Sequence, residues 1–181
     1  MPGAQERVLR RRIASVQNTK KITRAMELIA ATRVVKAQLR ANEARPYSER
    51  ITQVIQDLAA AGADVDHPLL RPVDEVRKVG LIVLAGDRGL AGAYNTNVIR
   101  AAERELAAIR SEGREFALVT VGRKSEAHFR FRNYPIDAAY SGFTDRPSYG
   151  EAVAIAGRVT VLFFFFNDAA TTEIYTRFIS I

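Results

Sequence analysis

The apolar positions of this chain follow two different periods. Across residues 4–61 they recur at spacings of three and four: Leu9, Ile13 and Val16, then Ile22, Met26 and Ile29, then Ile51, Ile55 and Leu58. That is the period of one face of a helix, and the intervening residues are mostly Ala, Leu, Arg, Lys, Gln and Glu, all good helix formers. The stripe slips out of step between Val16 and Ile22, as in a coiled coil with stutters. Neither Pro nor Gly interrupts residues 4–45. Pro46 lies inside the pattern and predicts a kink or local loosening, and Gly62 predicts the stop. At about 1.5 Å per residue a helix of this length reaches on the order of 85 Å. Such a helix cannot bury its own stripe, and no segment in residues 62–181 reads as a partner of similar length.

Residues 62–75 carry two prolines and read as a linker, after which the period changes. Residues 79–85 are a short apolar run rich in Val, Leu and Ile, a buried strand. Residues 96–111 read as a helix with Val98, Ile99, Ala102, Leu106 and Ile109 on one side. Residues 115–121 predict a second strand, 123–132 a short basic helix after a turn at Gly122, and 135–140 a third extended piece. A further helix opens in "TDRPSYGEAVAIA", with Thr144 or Asp145 as its N-cap and Glu151 in its first turn. Strand and helix in alternation imply a parallel sheet with crossover helices. The predicted class is therefore α/β: a long coiled-coil-type N-terminal helix (1–61), a linker (62–76) and a parallel α/β domain (77–161), incomplete in its strand count. Residues 162–181 lose the pattern; the run Phe163, Phe164, Phe165, Phe166 reads either as a buried strand or as foreign sequence.

Composition narrows the chemistry. There is no cysteine, hence no disulfide, thiolate metal site or cysteine nucleophile, and the two histidines, His67 and His128, leave little for a metal site or catalytic triad. No run of about 20 apolar residues suggests a membrane span. The formal charge of +7 is unevenly placed: residues 1–50 hold 12 Lys/Arg and 4 Asp/Glu, and the remainder is nearly neutral. A basic arm on a neutral body points to nucleic acid, an anionic surface or an acidic protein partner.

One loop invites a ligand. "LIVLAGDRGLAGAYNTN" (81–97) leaves a strand through Gly86, Gly89 and Gly92 and enters a helix, the setting of many phosphate sites. The spacing is G-x-x-G-x-x-G, unlike the dinucleotide fingerprint, and no G-K-[ST] follows. Asp87 would repel a phosphate, and Arg88 beside it suggests a local ion pair. The loop is expected to be a tight turn whose glycines allow positive φ or close approach, with Asn95 or Thr96 capping the next helix.

Three stretches carry a family resemblance. "RRRIASVQNTKKITRAMELIAATRVVKAQ" (10–38) resembles the N-terminal helix of the γ subunit of bacterial F-type ATP synthases. "LAGDRGLAGAYNTNVI" (84–99) and "VGRKSEAHFRFRNYPI" (121–136) resemble two further stretches of that family, in the same order. The resemblance implies a Rossmann-like α/β foot and a shaft helix paired in an antiparallel coiled coil with a C-terminal helix. It implies a non-catalytic central-stalk rotor that couples proton flow to ATP synthesis, peripheral on the cytoplasmic side of the inner membrane. It implies the complex's α, β and ε subunits and c-ring as partners, with no cofactor, no metal, no small-molecule ligand and no nucleic acid. By resemblance Lys20, Lys21, Arg24, Met26, Arg33 and Lys36 face the acidic lever loops of the β subunits. Gly86, Asp87, Arg88, Gly89, Leu90, Gly92 and Asn95 form the foot's signature loop, and Leu9, Ile13, Val16, Ile22, Ile29, Ile51, Ile55 and Leu58 form the coiled-coil stripe. The family's chain continues past position 160, where the resemblance here fades. "FFFFNDAATTEIYT" resembles translated sequencing-adapter read-through, so residues from about Leu162 are expected to be non-native. The competing reading is a nucleotide-dependent α/β protein with a basic nucleic-acid-binding helix.

Overall fold

The computed structural model describes residues 2–60, 77–167 and 177–179, and the chain divides into two compact units, Met1–Val65 and Asp66–Ile181. In the first unit α1 (Pro2–Ala60) is one uninterrupted helix of 59 residues. It runs through Pro46, so the proline does not end it, although its missing N–H removes one rung of the hydrogen-bond ladder. Every described side chain of α1 except the half-buried Arg33 is exposed. Within the helix the backbone ladder is joined by short-range pairs such as Arg10–Glu6 (2.6 Å) and Arg24–Glu27 (2.8 Å). Exposed pairs of this kind contribute only about 0.3–0.5 kcal/mol each. The expected linker and stop at Gly62 fall outside the described residues.

The second unit is built on a four-stranded parallel sheet in the order β3-β2-β1-β4, with β1 at Lys78–Leu84, β2 at Glu115–Val121, β3 at Ala138–Tyr140 and β4 at Arg177–Ile179. The central pair is in register Lys78↔Glu115 through Leu84↔Val121. Helices α2 (Tyr94–Ser111) and α3 (Arg123–Phe131) cover one face. There Leu81, Val83 and Leu118 pack with Val98, Ala102, Leu106 and Phe129, all fully buried. Helix α4 (Tyr149–Asn167) covers the other face, where Ile82, Val119 and Val121 meet Leu162, with Ile155 and Val159 packed against them. Alternation along each strand is what splits these residues between the two faces.

Several expectations shift. The helix predicted to start at 96 starts at Tyr94, with Ala93 at its N-cap position and no side-chain cap, so neither Asn95 nor Thr96 caps it. The last helix starts at Tyr149, after Ser148 rather than at Thr144 or Asp145. The Ser148 N–H and hydroxyl both donate to the Glu151 carboxylate, the reciprocal half of a capping box. Those two bonds hold the Glu151 carboxyl below its ordinary range. The backbone at 163–166 continues α4, so the alternative of a buried strand there is wrong. Leu162, at the head of the expected non-native tail, sits in the second core. β4 lies in a segment for which no strand was expected, and residues 168–176 and 180–181 are outside those described.

Candidate functional site

Because β2 and β3 lie to one side of β1 and β4 to the other, the chain winds away from β1 in both directions. The topological switch point is thus the gap between the carboxyl ends of β1 and β4, where open α/β sheets bind their ligands. The glycine loop leaves from its β1 side. The loop's own carboxylate fills instead the crevice on the other side of β1, toward the loops after β2 and β3. Asp87 accepts hydrogen bonds from the backbone N–H of Arg123 (3.0 Å), which opens α3, and from the N–H groups of Gly142 (2.9 Å) and Thr144 (2.9 Å). The Thr144 hydroxyl donates to it as well (2.8 Å) and accepts the Asp87 N–H in return (2.9 Å). Partial burial would raise the Asp87 pKa, but the backbone donors of Gly142, Thr144 and Arg123 and the Thr144 hydroxyl outweigh it and hold the group at about 2, against an ordinary 3.8. A phosphate entering here would have to displace an anion already held by four donors.

The other loop residues divide by task. Asn95 accepts from the Gly86 N–H through its side-chain oxygen (2.8 Å) and donates from its amide to the Arg88 carbonyl (3.1 Å). It closes the loop on itself, which replaces the capping role expected of it. Arg88 pairs with Asp145 (2.9 Å), not with its neighbour Asp87. Of the three glycines, only Gly92 has positive φ (+56°), and only Gly86 is tightly packed, with a Cβ there meeting Asn95 Oδ1 at 3.2 Å. Gly89 has neither feature. Leu90 takes φ +60° with 86% of its surface exposed, an unusual conformation for a bulky residue without internal packing to hold it.

The glycine that geometry requires is one the sequence showed only as a turn. Gly122 has φ +94°, and a Cβ there would lie 2.0 Å from the Ala85 carbonyl oxygen. That contact sits inside a backbone clasp: the Ala85 N–H donates to the Val121 carbonyl (2.8 Å), Gly122 to Tyr140 (2.7 Å) and Lys124 to Gly86 (3.1 Å). The close approach expected of the loop's glycines is therefore made from the opposite side of the crevice.

On α1 the residues matched to a partner surface lie on an exposed helix. Lys20, Lys21 and Arg24 line one groove with Gln17. Among the described residues Lys20, Lys21 and Lys36 have no ion-pair partner, while Arg24 is paired to Glu27. Met26 is 39% exposed. The stripe Leu9, Ile13, Val16, Ile22, Ile29, Ile51, Ile55 and Leu58 is 42–68% exposed throughout. Sequence reading missed a second apolar row on the same helix: Leu28, Val35 and Leu39 are also exposed. At 100° per residue they point away from Ile22, Met26 and Ile29 by roughly a quarter to a half of a turn. Their i, i+7, i+11 spacing was the available signal. No cluster of His, Asp or Glu that could hold a metal ion occurs among the described residues, and no described helix is long and apolar enough to cross a membrane.

The family model described as ATP synthase matches residues 5–181. Among curated relatives, the ATP synthase gamma chain of Salinispora arenicola is 47% identical over 150 residues, 83% of this chain and 48% of that protein. The gamma chain of Nostoc sp. is 47% identical over 175 residues, 96% and 55% of the two chains, and that of Kineococcus radiotolerans is 44% identical over 182 residues, 98% and 60%. A cryo-EM structure of the Tetrahymena thermophila mitochondrial ATP synthase central stalk and c-ring aligns with 75% of this chain and 59% of its own at 19% identity and a TM-score of 0.48. The chain spans about half the length of the curated relatives it matches. A long basic helix, a parallel α/β unit whose glycine loop is tied down by its own carboxylate, and near-half identity across most of the chain converge: the chain belongs to the ATP synthase gamma chain family.

Proposed function

We propose that this chain acts as a central-stalk rotor subunit of an F-type ATP synthase, a non-catalytic shaft and foot that couples proton flow to ATP synthesis on the α and β subunits. The observation that carries this reading is the helix α1: 59 residues, exposed almost throughout, apolar on more than one face and basic along its first two-thirds. An isolated helix of that character is marginal in water and gains most of its stability from partners. One apolar face suits a second helix in a coiled coil, and the other suits a surrounding surface. Lys20, Lys21, Arg24, Arg33 and Lys36, with Met26 between them, would face the acidic lever loops of the β subunits. Long, solvated side chains attract such loops without locking to any one of them, since each exposed pair is worth little, and that suits a part that must turn.

In the same reading the α/β unit serves as the foot, contacting the ε subunit and c-ring, and the protein is peripheral to the membrane through the assembly. The loop's own carboxylate supports this over a nucleotide-dependent protein: Asp87 takes up four donors at the carboxyl ends of β2 and β3 that a phosphate entering there would need. The test is co-expression of the full chain with α and β subunits, alongside equilibrium dialysis of the chain alone against ATP and NAD. Stoichiometric recovery with α and β and no tight nucleotide binding is expected. Tight one-to-one nucleotide binding by the free chain would overturn the reading.

A further inference from the structure

A second charged surface lies on the α/β unit, away from the glycine loop, where α2 runs beside α3 and the turn after it. Two adjoining grooves share Glu103. One, of about 700 Å³, is lined by Arg100 and Arg104; the other, of about 330 Å³, by Arg110 and Arg132. Among the described residues Arg100 and Arg104 have no ion-pair partner. Arg110 is held by stacking, its guanidinium 5.1 Å from the centre of the Phe116 ring and 5.0 Å from that of Tyr134. Among the described residues Glu103 is the single carboxylate lining the grooves, and it is engaged already, with Oε1 2.9 Å from His128 Nε2 and 3.9 Å from Arg132 Nε. The described lining thus presents four guanidinium groups against one occupied carboxylate.

We infer that this arginine groove is a docking surface for an acidic segment of a neighbouring polypeptide in the assembly. The inference rests on the rotor-subunit reading above. Charge sets the sign of the occupant, and the chain's own α1 is too basic to supply it. Length sets its kind: Arg100 to Arg110 spans ten residues of α2, about 15 Å, more than one small anion covers. About five residues of extended chain fill that distance at ~3.3 Å each. Arginine in place of lysine favours forked, two-point recognition of carboxylates. The stacked Arg110 loses less side-chain freedom on binding than a free one.

The experiment is phenylglyoxal labelling of the full chain, free and assembled with the α, β and ε subunits and c-ring, with adducts mapped by mass spectrometry. Expected is full labelling of Arg100 and Arg104 in the free chain and about a fivefold or greater loss on assembly, with the double variant Arg100→Glu/Arg104→Glu assembling about tenfold more weakly. Equal labelling of the two arginines in a chain that does assemble overturns the groove and leaves the rotor reading intact. A chain that fails to assemble removes the premise, and both fall. Arginines already blocked in the free chain overturn the inference by pointing to an occupant within the chain. Equal protection by pyrophosphate or by phosphatidylglycerol vesicles alone overturns it in favour of a phosphate-bearing ligand.

Discussion

Asp87 and Gly122 show how single residues settle what the glycine loop is for. Asp87 is bound from two segments, its partners lying 36 to 57 residues away. Replacing it with Asn keeps the shape but leaves one acceptor oxygen for four donors. A loss of about 1.5–3 kcal/mol is expected, the range for hydrogen bonds to a charged group, read from urea unfolding at pH 7. The pH dependence has a definite sign. The folded pKa, about 2, lies below the ordinary 3.8. The contribution is therefore complete above pH ~4 and disappears as pH falls through 2, so the gap between wild type and Asp87→Asn should narrow in that window. A gap unchanged by acid would contradict the assignment. Gly122→Ala is expected to cost about 3 kcal/mol or more, from a backbone conformation nearly restricted to glycine and a Cβ placed against a carbonyl. Gly89→Ala, in open space, should be close to neutral by the same assay.

At the scale of elements, the parts of the fold set by local periodicity were legible. The strands at 79–85 and 115–121, the apolar face of α2 and the length of α1 all follow from spacing; the strand at 115–121 is seen with those ends and the other elements with ends moved by one or two residues. What local pattern does not encode was missed. Asn95 sits where a cap is expected yet closes the loop instead, and Ser148 takes the cap sought at Thr144 because Thr144 is committed to Asp87. Arg88 finds Asp145, a partner 57 positions on that no sequence spacing indicates. Within α1, Pro46 deprives a long, exposed helix of one backbone bond. Pro46→Ala should raise helix content, and circular dichroism of the full chain should show it, since an interior proline costs about 3 kcal/mol in a helix. Unchanged or reduced helicity would mean that the proline matches the local backbone.

For the whole molecule, burial is unequal between its two parts. The α/β unit has two cores, one on each face of its sheet, while α1 keeps its apolar rows in solvent. An exposed stripe this long is unfavourable for a protein acting alone and ordinary for one that works inside a larger assembly. The rotor-subunit proposal requires that α1 be completed by partners. The most direct measurement is amide hydrogen exchange over residues 10–38 of the full chain, alone and after mixing with purified α and β subunits of an F-type ATP synthase. Fast exchange alone, slowed about tenfold or more in the mixture, is the predicted result. Strong protection of that segment in the free chain, or rates unchanged by the subunits, would contradict it.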